Sequence, residues 1–179
     1  MYVFIVLSHA RRQVVHFNIT ANPTAQWTAQ QIIEAFPWDT APRYLLRDRD
    51  SIFGRIFRER IKSMGIEEVM TAFHSPWQNA YVELLNGSIR RECTDHIIAL
   101  NENHLRKLLR TYFKYYHEDR IHLGLGKDTP IKRAIARKNS TKTRLLELSR
   151  VGGLHHRYEW SKAALLLHDL LNSRHNWEK

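Results

Sequence analysis

Cysteine is almost absent: Cys93 is the only one in the 179 residues. That excludes a disulfide framework and any zinc site built from paired cysteines, and it makes a reducing cytoplasm the natural compartment. Long apolar runs are also missing. No stretch approaches the roughly 20 residues of a membrane span, and the apolar start Met1–Leu7 is too short, with the wrong flanks, for a signal peptide. There is no internal repeat and no low-complexity tract. Acidic residues are scarce at the start, since none precedes Glu34.

What the chain does have is positive charge. Twenty-eight Lys and Arg against 18 Asp and Glu give a net charge of +10, and the pI is near 10.0. An excess of this size, interleaved with 7 Tyr and 5 Trp, points first to nucleic acid, because basic side chains displace counterions from phosphates. Apolar residues make up 43% and charged residues 26%, a globular balance. The length suits one domain of about 100 to 150 residues plus an appendage.

Tyr2–Leu7 (YVFIVL) and Gln13–Thr20 (QVVHFNIT), separated by SHARR, read as an antiparallel hairpin whose first strand is buried on both faces. Helical spacing follows, with Trp27, Gln30, Ile33 and Phe36 near one side, until Pro37 stops it. Arg43–Arg47 is a short strand ending at the turn Asp48, Arg49, Asp50. A helix carrying Phe53, Ile56, Phe57, Ile61 and Met64 closes at Gly65, and Ile66–Met70 is another strand. From Asn79, an N-cap by position, a long helix runs to about Ile98. A second spans Glu102 to about His117, with Leu105, Leu108, Leu109, Tyr112, Phe113 and Tyr116 as its stripe, and Thr129 and Pro130 start a short third. This order predicts an α/β layered domain with a mixed sheet over residues 1–136. Residues 137–179 are expected to be a linker and a small helical extension, with Lys138–Thr143 as linker, a turn at Val151–Leu154 and a leucine-rich helical stripe at Ala163–Leu171.

Two carboxylates could carry chemistry. Asp48 follows an apolar strand almost directly, at the kind of strand end where α/β sheets form sites. Glu83 lies in the first turn of the helix after Asn79. Facing each other, they would make a cradle for a hard divalent cation that takes oxygen ligands. Plain structural roles compete: an Asx turn for Asp48 and complementing the helix dipole for Glu83. On spacing alone the plain roles weigh more.

The surrounding text shifts that weighting. The strings LLRDRDSIFG, HSPWQNAYVELLNGSIRREC and YYHEDRIHLGL resemble, in order and spacing, the catalytic core of retroviral-type integrases and bacterial insertion-sequence transposases of the Asp-Asp-Glu type. The resemblance covers about Tyr2–Ala136. It implies a ribonuclease H-like mixed sheet flanked by helices, with Asp48 as the second Asp of the triad and Glu83 as its Glu. Asp48 is the preferred ligand and Asp50, two residues along, is the alternative. Arg90, seven positions after Glu83 and so on the same helical face, and the adjacent Arg91 become candidate DNA contacts. So does Asn79, for which helix capping is the simpler role. Gly87 would let DNA approach closely. Tyr116, Arg120, His122 and Leu125 match the family's downstream pattern and read as structural, an aromatic helix end with a buried His and Arg. His155 and His156 are assigned to surface or phosphate contact.

The implied reaction is metal-dependent DNA strand cleavage and transfer, as in integration and transposition, using magnesium with manganese as the substitute ion. The implied partners are mobile-element ends, target DNA and further copies of the chain, in the bacterial cytoplasm near the nucleoid and without a membrane. In the family the first Asp lies on a strand preceding one like YVFIVL, and Met1–Gln31 holds no carboxylate. The chain is therefore expected to be amino-terminally truncated, with an incompletely ligated metal and no strand transfer of its own. The alternatives are a noncatalytic nucleic-acid-binding remnant and a ribonuclease H-like nuclease with other substrates.

Overall fold

The computed structural model describes residues 1–134, 138 and 143–162. The chain divides into two compact units, Met1–Ile131 and Lys132–Lys179. In the first, β1 (Tyr2–Ser8) and β2 (Gln13–Thr20) form an antiparallel hairpin, with an irregularity between Val6 and Leu7. Helix α1 (Ala25–Ala35) follows. Its N-cap Thr24 accepts a hydrogen bond from the Trp27 N–H at 3.1 Å, satisfying one of the amides a helix start leaves over. Strands β3 (Tyr44–Arg47) and β4 (Glu67–Met70) pair in parallel, joined by helix α2 (Arg55–Ser63). Gly65, at φ +73°, turns the chain out of α2, a conformation that costs glycine little because it has no Cβ. Helices α3 (Ala80–Glu92) and α4 (Glu102–Glu118) complete the unit.

Two apolar groups hold these elements. Val6, Ala29, Ile32, Phe57, Ile61 and Ile66 form one core, with Leu45, Phe53 and Phe36 packed against it. The expected stripe of α4 forms the other and is fully buried, with Phe113 edge-on to Phe17 of β2 at 4.8 Å. Polar clasps supplement them. The Val14 N–H donates to His117 Nε2 at 2.9 Å, and the Arg120 guanidinium and the Tyr112 hydroxyl both donate to Glu92, at 2.7–3.1 Å and 2.9 Å. The clasp ties α4 to α3 at the buried Cys93, whose thiol burial pushes up to about 11. Arg120 is held above its usual range by Glu92, and His122 lies against the Tyr116 ring at 4.8 Å. The downstream Tyr, Arg and His thus sit where a structural role needs them.

Several expectations are corrected. Among the described residues the strands form separate two-stranded ladders and not one mixed sheet: the β1–β2 hairpin is not bonded to the β3–β4 pair. The first strand of the hairpin is not buried on both faces, since Tyr2 and Val3 are exposed. The buried face of α1 is Thr28, Ala29, Gln31, Ile32 and Ala35, rotated from the predicted stripe. Gln31 turns inward because its Oε1 engages His16 and Asn18 of β2, at 2.9 and 2.7 Å. Helix α3 stops at Glu92 and gives way to a 3-10 turn at Thr94–His96. No helix starts at Thr129, because Arg11 donates to the carbonyls of Thr129 and Pro130 and Asp128 accepts from the Thr129 N–H.

In the second unit, β5 (Thr143–Arg150) and β6 (His155–Lys162) form an antiparallel hairpin, strands that the sequence reading did not foresee. Gly152 and Gly153, both at positive φ, make the predicted turn. The helical stripe Ala163–Leu171 lies outside the described residues. Among those described, no helix is long and apolar enough to cross a membrane.

Burial, Arg120 and Arg12 press the His122 imidazole down to about 4, and burial lowers His117 as well. Between that value and the ordinary value near 6.5, the folded chain binds fewer protons than the unfolded one, so stability is complete above about pH 6.5 and falls as pH drops toward about 4. The His122 contribution corresponds to about 3 kcal/mol. Urea midpoints measured across this window should fall for the wild type and fall less for His122→Asn. Parallel curves would remove His122 as the cause.

Candidate functional site

Parallel strands end side by side, so the loops leaving β3 and β4 meet at one rim. The Thr71 N–H donates to the Arg47 carbonyl at 3.0 Å, extending the ladder one step. Arg47 is only 7% exposed and is held by three partners. Its Nε donates to Glu68 at 2.6 Å, its Nη1 donates to the Asp48 carbonyl at 2.6 Å, and its guanidinium lies 5.1 Å from the centre of the Phe53 ring. A buried charge tolerates little movement without losing its pairing, so the Asp48 backbone is fixed from beneath.

Asp48 and Glu83 line the same cleft, of about 220 Å³, together with Arg49, Thr71, Phe73, His74 and Asn79. The strand-end carboxylate and the helix-start carboxylate are thus brought together. One oxygen of Asp48 accepts from the Asp50 N–H at 3.2 Å, the Asx turn foreseen as its plain role. Asp50 caps its own turn by accepting from the Ile52 N–H at 3.0 Å and lines a different cavity. The dipole role remains open to Glu83, in the first turn of α3.

Asn79 occupies the N-cap position, but its side chain makes no capping hydrogen bond. Its Oδ1 is buried without a donor, an arrangement that usually marks a missing partner. Arg90 and Arg91 lie at the other end of α3. Arg90 is exposed and pairs with Asp95 at 3.5 Å. The Arg91 guanidinium folds back over Gly87, where a Cβ would stand 2.8 Å from it. The space beside Gly87 is therefore taken by the chain's own arginine.

The sequence reading missed the cleft's other wall. Arg49 Nε donates to the Thr71 carbonyl at 2.8 Å, and its guanidinium stacks 4.3 Å from the centre of the Phe73 ring. His74 follows at φ +51°, a conformation uncommon for non-glycine residues and often found at functional sites. The one signal in the sequence was the arginine between two aspartates. Among the described residues no group of three or more His, Cys, Asp or Glu could hold a metal ion. Asp48, Glu83 and the Asn79 carbonyl are nonetheless hard oxygen donors on one cleft, the type that magnesium takes.

Arg49→Ala should free the loop after β4 while leaving the fold intact. Amide exchange at Thr71–His74 is expected to quicken by about tenfold, equivalent to about 1.4 kcal/mol, the scale of one hydrogen bond. Unchanged exchange there would show that Arg49 does not hold this wall.

Residues 64–130 match the family model described as integrase core domain. Over 142 residues the chain is 24% identical to the insertion element IS476 uncharacterized 39.2 kDa protein of Xanthomonas euvesicatoria, covering 72% of this chain and 41% of that protein. The chain thus spans about two fifths of the length of that curated relative. In the cryoEM structure of the simian T-cell lymphotropic virus intasome in complex with PP2A regulatory subunit B56 gamma, one chain is similar at a TM-score of 0.54 and 13% sequence identity, covering 89% of this chain and 60% of its own. At that identity the likeness is one of fold. Residues 64–130 thus resemble an integrase core domain, and the chain is similar to an insertion-element protein in sequence and to an intasome chain in fold.

Proposed function

We propose that this chain is the ribonuclease H-like core of a DNA integration or transposition enzyme, with Asp48 and Glu83 as two of its metal-holding carboxylates. The observation that carries the reading is their shared cleft at the rim where β3 and β4 end. Integrase core domains generally use divalent metals, and the donors here are the hard oxygens that magnesium or manganese takes. Asp48 and Glu83 would hold such an ion, which would supply Lewis-acid stabilisation of charge developing at phosphorus.

The chain's own residues do the rest. Arg47 fixes the backbone of Asp48, and Arg49 holds the loop that walls the cleft. Seven residues of helix, about 10 Å, separate Glu83 from Arg90. Arg90 and the neighbouring Arg91 are exposed, so they can follow a DNA backbone leading away from the cleft. The Arg90–Asp95 pair, solvent-exposed on both sides, holds Arg90 only weakly against a phosphate. Asn79 offers a carbonyl oxygen beside Glu83 for substrate contact. The net charge of +10 draws in the ends of a mobile element and the target duplex. Copies of the chain act together on the two DNA ends.

Two carboxylates are few ligands for the two-metal arrangement of phosphoryl transfer. The same shortfall favours a second reading, a noncatalytic nucleic-acid-binding remnant that relies on its basic surface. Magnesium-dependent nicking of a DNA end, measured beside filter binding, separates the two. If the site works, Asp48→Asn and Glu83→Gln each lower nicking on the order of 100-fold or more, several kcal/mol of stabilisation at about 1.4 kcal/mol per tenfold, and leave DNA binding nearly unchanged. Salt-sensitive binding with no nicking by the wild type would replace the catalytic reading with the remnant.

A further inference from the structure

The outer face of α4 carries a row of positive charge. Lys107, Arg110 and Lys114 are all exposed, and at spacings of three and four residues they stand in line along the helix. The row lies opposite the buried stripe, which packs on β2 through Phe113 and on α3 through Tyr112. The three cations therefore point away from α3, and none of them lines the carboxylate cleft. Seven helical residues from end to end, the row measures about 10 Å.

Neither ion pairing nor the helix dipole accounts for it. Between Glu102 and Glu118 the helix holds no carboxylate. Other exposed arginines have acidic partners, Arg43 with Glu67, Arg55 with Glu59 and Arg90 with Asp95. Lys107, Arg110 and Lys114 make no ion pair among the described residues. The dipole favours cations only in the last turn, and Lys107 and Arg110 lie nearer the middle of the helix. Arg110 and Lys114 are four residues apart, a spacing at which like charges repel. That repulsion is relieved when a polyanion neutralises the row.

We propose that this face of α4 is a second contact for duplex DNA, made through the phosphate backbone and separate from the segment at the cleft. The exposed residues of α4 from Asn103 onward are Asn103, Lys107, Arg110, Thr111 and Lys114. They include no aromatic ring on which an unpaired base could stack and no apolar side chain to enter a membrane. A duplex brings one negative charge per about 1.7 Å of its axis, enough to oppose all three cations within the length of the row. Contacts of this kind are independent of base sequence. Because the face turns away from α3, a duplex seated on it lies off the cleft, so the chain can hold one duplex segment at each. The inference rests on the reading of this chain as one that acts on DNA, but not on Asp48, Glu83 or a metal ion.

The test is binding of the full chain to a duplex of arbitrary sequence, read by fluorescence anisotropy with EDTA present, between about 50 and 200 mM salt. One variant combines Lys107→Gln, Arg110→Gln and Lys114→Gln. The control combines Arg58→Gln, Arg60→Gln and Lys62→Gln on α2, also three exposed cations, so both variants lose the same charge. Glutamine keeps the helix propensity of the residues it replaces. The α4 variant is expected to flatten the slope of log affinity against log salt by about 2.7, or about 0.9 per phosphate contact, and to bind at least about tenfold more weakly at low salt. The α2 variant should change the slope little. An unchanged slope in the α4 variant, or equal flattening in both, would overturn the proposal while leaving DNA as the partner; a wild type that binds no duplex would overturn both. Binding to phosphatidylserine vesicles that depends on the row, with duplex binding that does not, would assign the face to a membrane instead.

Discussion

The guanidinium of Arg47 is the fixed point of the site. It sits at the last position of β3, almost out of contact with water, where a charge is tolerated only if every direction offers a partner. Glu68 on the adjacent strand, the carbonyl of Asp48 and the Phe53 ring supply those partners. Strand pairing, the turn into α2 and the placing of Asp48 therefore hang on one side chain. The carboxylate rises from this anchored base into solvent, and so it can be both exposed and well positioned.

Glu83 is positioned less directly. Its helix is pinned at the far end, where Glu92 takes hydrogen bonds from Tyr112 and Arg120, and the apolar stripe of α4 holds those partners against β2. The hairpin, α4 and α3 thus form one chain of contacts, and the β3–β4 pair with its crossover forms another. The carboxylates belong to different chains of contacts, and they meet at the cleft. Between β1 and β3 the main-chain edges face a cavity instead of each other. Part of what would hold the carboxylates in register is thus left to packing among Val6, Ile32 and Phe57.

Local patterns were legible where a single physical rule decides them. The hairpin of β-branched residues, the stop at Pro37, the glycine exit at Gly65 and the α4 stripe follow from propensity and periodicity. The placing of Asp48 after an apolar strand was readable for the same reason. What could not be read depends on partners far away in sequence. The inward turn of Gln31 needs His16 and Asn18, the non-helical path at Thr129 needs Arg11, and the wall of the cleft needs Arg49 to reach Thr71 and Phe73. Asn79 marks the limit. Its position before a helix suggested a cap, yet its side chain faces a cavity. The 143–162 hairpin has leucines at spacings that suit either strand or helix, and the glycine pair decides for the turn.

Cys93 sits at the junction of α3 and the 3-10 turn, behind the Glu92 clasp. Its thiol is enclosed and kept protonated at neutral pH, so the nucleophilic thiolate forms only when that junction opens. The protein thereby carries its own reporter at the point where α4 grips the helix bearing Glu83. The rate at which an alkylating reagent captures the sulfur would count the openings of that grip, separately from unfolding of the β3–β4 side.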